Sequence, residues 1–218
     1  MITSPKNAPF ITFEGGEGAG KTTQTRLLAD RLGAAGIACK LTREPGGAPF
    51  AEEIRALLLR PDLPPRSAMA EALLFLAARA DHVSETILPA LGAGQWVISD
   101  RFSDSTFAYQ GAAGGVPHAT LAELHRLVLG DLRPDLTLIL DIPTEMGLAR
   151  ANARKGSVGR DHFEIREAAY HEALRQGFLA IADNDPERCA VIDATGSPEA
   201  VAARIWAIVE ARLSSMMA

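Results

Sequence analysis

The chain is short of the features that mark secreted, membrane-spanning or nucleic-acid-coating proteins. It holds two cysteines, Cys39 and Cys189, too few and too far apart for a disulfide framework or a CxxC or zinc spacing. That usage fits a reducing compartment. No run approaches the roughly 18 uninterrupted apolar residues of a membrane helix. The opening MITSPKNAPFITF lacks the apolar centre of a signal peptide. A soluble, cytoplasmic protein with no membrane partner is expected. Basic residues are in deficit, 22 Lys and Arg against 27 Asp and Glu, for a net charge of −5. That excludes a general basic coat for nucleic acid, so a polyanionic ligand has to be held by local geometry. Aromatic residues are sparse, yet the hydrophobic share is 47%, too high for intrinsic disorder. At 218 residues the length suits a single domain, 1–218, with a core that needs no metal or disulfide staple.

What is present is alternation. Short apolar runs at 9–14, 37–42, 95–100, 135–141 and 189–194 read as strands. Helical patterns fill about 21–35, 48–59, 67–91, 117–129, 144–153, 161–182 and 198–213. Most of the strand runs are apolar on both faces, as in a parallel sheet covered by helices on either side. The expectation is α/β: a five-stranded parallel sheet flanked by helices. Two segments break the rhythm, a proline-rich corner at 60–67 and a basic, glycine-containing stretch at 149–160.

The first strand runs into GGEGAGKT, which fits G-x-x-x-x-G-K-[ST] with Gly15, Gly20, Lys21 and Thr22. In Gly15, Gly16, Glu17, Gly18, Ala19 and Gly20, glycines let successive backbone N–H groups point inward at phosphate oxygens. The helix that follows offers its unpaired N–H groups and dipole to the same anion. Lys21 supplies a mobile positive charge for the β- and γ-phosphates, and Thr22 a hydroxyl for Mg²⁺. WVISD closes the third strand on Asp100, the form of the second acid that holds the metal in such sites. The reading is a nucleoside-triphosphate site of the P-loop type, on the carboxyl edge of the sheet.

No NKxD-like guanine signal accompanies it. Instead a second set of polar and aromatic residues appears. In LLFLAARADH, Phe75 and Arg79 are four apart and share a helix face. Such a pair suits a flat base, one stacking and the other hydrogen-bonding. An equally ordinary arrangement has Phe75 in the core and Arg79 paired at the surface with Glu71 or Asp81.

Taken in order, EGGEGAGKTT, TREPGG, LLFLAARADH, DRFSDSTFAYQG and DHFE resemble the bacterial thymidylate kinase family across nearly the whole chain. The resemblance implies transfer of the γ-phosphoryl of ATP to dTMP with Mg²⁺, a five-stranded parallel sheet, a mobile lid at about 149–162, and a homodimer. It implies that Phe75 stacks on thymine, Arg79 bonds its O4, and Thr106, with Ser105 nearby, faces the base edge. Tyr109 would lie against the deoxyribose and exclude a 2′-hydroxyl, Arg101 would hold the acceptor phosphate, and Gln110 would support the pocket. Glu17 would accept from the 3′-hydroxyl, Glu44 and Pro45 would shape the wall, and Arg55 is a further phosphate candidate.

An acidic P-loop in this family goes with catalytic arginines in the lid. Arg150 and Arg154 match the lid helix best, with Arg160 as a further candidate. Phe102 stands where many relatives have tyrosine, and His162 replaces an arginine often found in the DRxE-like string. None of the five histidines has metal-site spacing. A kinase for another nucleoside monophosphate would keep the P-loop and change the 75–79 and 105–110 cluster. A non-catalytic switch would bind nucleotide and release no ADP.

Overall fold

The computed structural model describes residues 8–60, 62–155 and 168–217. Five strands, β1 (Phe10–Glu14), β2 (Cys39–Arg43), β3 (Trp96–Asp100), β4 (Leu136–Asp141) and β5 (Cys189–Asp193), form one all-parallel sheet in the order β2-β3-β1-β4-β5. All five residues of β1 are buried, which is why its sequence shows no polar alternation. The edge strands β2 and β5 expose Leu41 and Val191 instead.

Helices α1 (Lys21–Ala34) and α9 (Pro198–Leu213) pack one face of the sheet around Leu28, Leu32, Ile205 and Val209. On the other face, α8 (Ala168–Asn184) buries Leu174 and Phe178 against Ile139. Between β2 and β3 run α2 (Pro49–Leu59), α3 (Ala68–His82) and α4 (Leu88–Gly92). α6 (His118–Leu129) precedes β4, and α7 (Thr144–Lys155) follows it.

The expected single helix over 67–91 is interrupted by a widened π turn at Val83–Ile87. Pro89 accounts for it: the ring removes an N–H and crowds the carbonyl one turn back, and a wider turn relieves both. A second departure is α5 (Ser103–Thr106), continuing as a π turn over Phe107–Ala112. The sequence reading assigned no element there. Its polar start carries no apolar repeat; the segment is helical because its surroundings hold it. Arg188 donates to both oxygens of buried Asp104 at 2.6 and 3.0 Å. Gly177 of α8 lies so close to Ala112 that a Cβ would meet the alanine methyl at 2.7 Å. Phe102, ahead of α5, is fully buried and edge-on to Phe10 at 4.9 Å, a core role that a phenol would not fill without a partner.

Candidate active site

The carboxyl ends of β1, β2 and β3 deliver three loops to one cavity of about 270 Å³. From β1 and the start of α1 come Glu17, Gly18, Gly20, Lys21 and Thr22; from the end of β3 come Asp100 and Arg101. The α5 segment and its π turn add Ser105, Thr106, Tyr109 and Gln110. The opposite wall is Arg43, Glu44, Pro45, Arg55, Leu59 and Phe75. Most of the residues expected from the sequence therefore share one chamber.

Lys21 is buried, and its Nζ donates to the carbonyls of Gly15 at 3.1 Å and Gly16 at 2.8 Å. Burial lowers its pKa to about 8, helped by the Arg101 charge and opposed by Glu17, Asp100 and Glu14. The Thr22 hydroxyl donates to Asp100 Oδ2 at 2.6 Å. A hydroxyl and a carboxylate converging at the foot of the phosphate loop are hard oxygen donors, the chemistry Mg²⁺ prefers. The loop is clamped from behind by α7. A Cβ on Gly18, at φ 69°, would run into the carbonyl of Gly147, and a Cβ on Gly147 would lie 2.5 Å from the carbonyl of Glu17. Ala19 is buried, and neither it nor Gly15 and Gly16 lines the cavity.

Arg101 sits at the centre. Its Nη2 donates to Glu17 Oε1 at 2.8 Å and to the Tyr109 hydroxyl at 2.7 Å, and its Nη1 to Gly15 O at 3.1 Å and Ser105 Oγ at 3.2 Å. The Tyr109 hydroxyl donates in turn to Glu17 Oε1 at 2.7 Å. Burial works against charge on Glu17, but Arg101, Lys21 and the Tyr109 hydroxyl outweigh it and hold its pKa at about 2. Burial also penalises the Arg101 charge, yet the Tyr109 oxygen and the Glu17, Glu14 and Asp100 carboxylates hold its pKa above the ordinary value.

Arg79 differs from the surface-paired arrangement of its charge. It is 1% exposed and lies behind the wall, not in the lining. Its Nε donates to Glu44 Oε2 at 2.7 Å, Nη1 to Thr106 Oγ1 at 3.0 Å, and Nη2 to the Phe102 carbonyl at 2.9 Å. Neither surface pairing occurs: Glu71 is buried and accepts from Gln110 at 3.3 Å, and Asp81 accepts from the Ala51 N–H. Glu44 is bridged to a second base, since His82 Nδ1 donates to its Oε1 at 3.0 Å. The Glu44–Pro45 peptide is cis, and Arg55 Nη1 donates to the Pro45 carbonyl at 2.7 Å.

Arg150 turns toward the loop after β5, where it donates to the carbonyls of Ala194 at 3.0 Å and Gly196 at 3.5 Å. Position 154 falls in the last turn of α7. The Arg154 side chain, Arg160, and the lid beyond residue 155 lie outside what the structure describes. Sequence reasoning missed Arg43, Leu59 and buried Glu14. Arg43 stands inside TREPGG and pairs with Glu52 at 3.0 Å. Glu14 stands at the join of strand and glycine loop, where a charge in a strand buried along its length was the available signal.

A family model described as thymidylate kinase matches residues 13–205. The thymidylate kinase of Bradyrhizobium sp. (strain ORS 278) is 53% identical over 214 residues, covering 98% of this chain and 95% of the relative. That of Rhodopseudomonas palustris (strain TIE-1) is 57% identical over 205 residues, covering 94% and 89%. The crystal structure of thymidylate kinase from Ehrlichia chaffeensis superimposes with a TM-score of 0.75 at 33% identity, covering 93% of this chain and 98% of that one.

Proposed function

The chain belongs to the thymidylate kinase family, and from that premise we propose how its own residues carry out the family's reaction. The enzyme transfers the γ-phosphoryl group of ATP to dTMP, giving dTDP and ADP. The observation that carries the residue assignments is the shared chamber: the phosphate loop and the Arg101–Tyr109–Phe75 side line one cavity of about 270 Å³. Two phosphates can meet there with no second site to cross.

On this reading ATP threads its phosphates through Gly15–Gly20, with Lys21 leaving the loop carbonyls for the β- and γ-phosphates. Thr22 and Asp100 would hold Mg²⁺, which would supply positive charge against that of the donor phosphates. A hydroxyl and a carboxylate are the hard oxygen donors that such a cation prefers. The acceptor phosphate binds Arg101, with Arg55 nearby, and Glu17 and Tyr109 seat the sugar. Phe75 stacks on the base, while Thr106, Ser105 and Gln110 meet its edge. Arg79, fixed on Glu44, orients Thr106 from behind and reaches O4 only if substrate displaces one of its partners.

The acceptor is already an anion, so no proton-abstracting base is needed. What the transition state needs is positive charge over the equatorial oxygens, and we assign that to the lid arginines, Arg154 first, with Arg150 and Arg160 beside it. We take the chain as one kinase domain with its lid at 149–162. We also propose a homodimer through the face on which α2 and α3 expose Phe50, Leu57 and Leu73, to be tested by sedimentation. Among the described residues no helix is long and apolar enough to cross a membrane, and we place the enzyme in the cytoplasm.

A panel of acceptors in a coupled ADP assay tests the pocket. The thymine methyl is one buried carbon, so dUMP should react with kcat/KM roughly 10–200-fold below dTMP. Ribothymidine monophosphate should be far slower, because the Tyr109 ring leaves its 2′-hydroxyl no partner. Equal kcat/KM for dGMP or AMP would overturn the assignment.

A further inference from the structure

Glu14 ends β1 one position before the phosphate loop, is fully buried, and does not line the cavity. Its Oε1 accepts from the N–H of Phe102 at 2.7 Å and of Ser105 at 3.3 Å, and its Oε2 accepts from Ser105 Oγ at 2.6 Å. Both partners follow Arg101 in the chain, by one position and by four. Arg101 has φ 73°, and among the described residues it is the one non-glycine with a positive φ. A residue with a Cβ leaves that region unless its surroundings hold it there.

Three bonds hold it. The Arg101 N–H donates to the Phe13 carbonyl at 2.9 Å, its carbonyl accepts from Ser99 Oγ at 2.7 Å, and the next N–H is the one that Glu14 takes. At the far end of the side chain, Ser105 Oγ accepts from Arg101 Nη1 at 3.2 Å while donating to Glu14. One carboxylate therefore fixes both the peptide after Arg101 and the hydroxyl that receives its guanidinium. It does so from the strand that feeds the phosphate loop. Burial and the Asp104 charge push the Glu14 carboxyl up to about 7, against the pull of Arg101, Ser105 and Phe102. An apolar side chain would avoid that penalty but would take the acceptor from the buried Phe102 N–H and from the Ser105 hydroxyl.

We infer that Glu14 is a positioning residue for the acceptor phosphate: it locks Arg101 in its left-handed conformation and so sets where that phosphate sits relative to the donor loop. The inference rests on Arg101 binding the acceptor phosphate, as assigned above.

The test is a double-mutant cycle read by calorimetric titration with dTMP and, separately, with ATP, alongside thermal melts. Arg101→Ala alone tests the underlying assignment; unchanged dTMP affinity would sink that assignment. Glu14→Ala should weaken dTMP at least about tenfold and ATP less than about threefold, as expected for loss of charge-assisted hydrogen bonds. Glu14→Gln can still accept from Phe102 and bond Ser105, and should return dTMP affinity to within about threefold of the parent enzyme. In the Arg101→Ala background, Glu14→Ala should add less than about twofold, because the two act as one unit. Full additivity, or equal weakening of ATP and dTMP, would mean that Glu14 only supports the fold and would overturn the inference. If Glu14→Ala melts below the assay temperature, Glu14→Asp takes its place in the cycle, being one methylene too short to span Phe102 and Ser105 together.

Discussion

Lys21 donates its ammonium to the Gly15 and Gly16 carbonyls and lines the cavity, so phosphate oxygens can take the place of those carbonyls. Lys21→Ala should cut kcat by at least about 10²-fold, the loss typical of one preorganised charge-stabilising group. The dTMP affinity should hold, because Lys21 is assigned to the donor phosphates and the acceptor's contacts to Arg101, Glu17, Tyr109 and Phe75. Calorimetry with dTMP beside a coupled ADP assay checks both halves. At this scale the motif residues were legible, since glycine, lysine and threonine at fixed offsets carry their chemistry in their spacing. Arg79 was legible as a site residue but not in its partners. Its place on α3 followed from the periodicity, whereas Glu44, Thr106 and the Phe102 carbonyl reach it from two distant segments, the loop after β2 and the start of α5, that no local pattern connects. Glu14 escaped for the same reason: its three bonds cross 88 to 91 positions of chain.

Among the elements, the strands were read to within two residues; the central three, β1, β3 and β4, are buried nearly along their length and so read as short, dense apolar runs. The α5 segment was not read, because Asp104 and the Ala112–Gly177 contact supply what its own sequence lacks. α7 carries the clearest consequence. Its Gly147 lies against the Glu17 carbonyl, and a backbone oxygen cannot swing away as a long side chain can. Gly147→Val should therefore destabilise by about 1–3 kcal/mol, the usual cost of overpacking, and should lower kcat as the helix is pushed off the loop. Urea melts and steady-state rates measure the two effects. At the end of the same helix, Arg154→Ala should lower kcat by two to three decades, shaded below the roughly 10³–10⁵ of comparable arginines because neighbours can substitute. KM for dTMP should move little. Single-turnover rates for Arg150→Ala, Arg154→Ala and Arg160→Ala would rank the three. A thousandfold loss at Arg160 alone would shift the role to that residue.

For the whole molecule, acid stability is set by groups of opposite sign. Burial and the neighbouring Arg79 charge depress His125 to about 4. The unfolded chain therefore binds the extra proton between about pH 6.5 and 4, and the stability that His125 contributes is lost as pH falls through that window. Glu14, raised to about 7, works the other way and loses stability as pH rises from about 4.5 to 7. Glu17, held at about 2, keeps its contribution down to about pH 4.5 and loses it below. The first two should nearly cancel between about pH 4.5 and 6.5, leaving a flat curve that drops in stronger acid. His125 Nε2 lies 3.2 Å from Arg79 Nη1, and His125→Gln keeps an acceptor there without titrating. Relative to the parent enzyme it should gain about 2 kcal/mol on going from pH 6.5 to 4.5, at about 1.4 kcal/mol per pH unit for one proton and discounted for partial burial. Denaturant melts across that range test the sign.

Glu17 is grasped at both ends: its carbonyl lies against Gly147 of α7, and its carboxylate holds Arg101 and Tyr109. Any occupant of the phosphate loop that shifts this residue also moves the groups that face the other substrate. The two substrates are then thermodynamically linked, and linkage has no preferred direction. Whatever factor ATP imposes on the dissociation constant of dTMP, dTMP must impose on that of ATP.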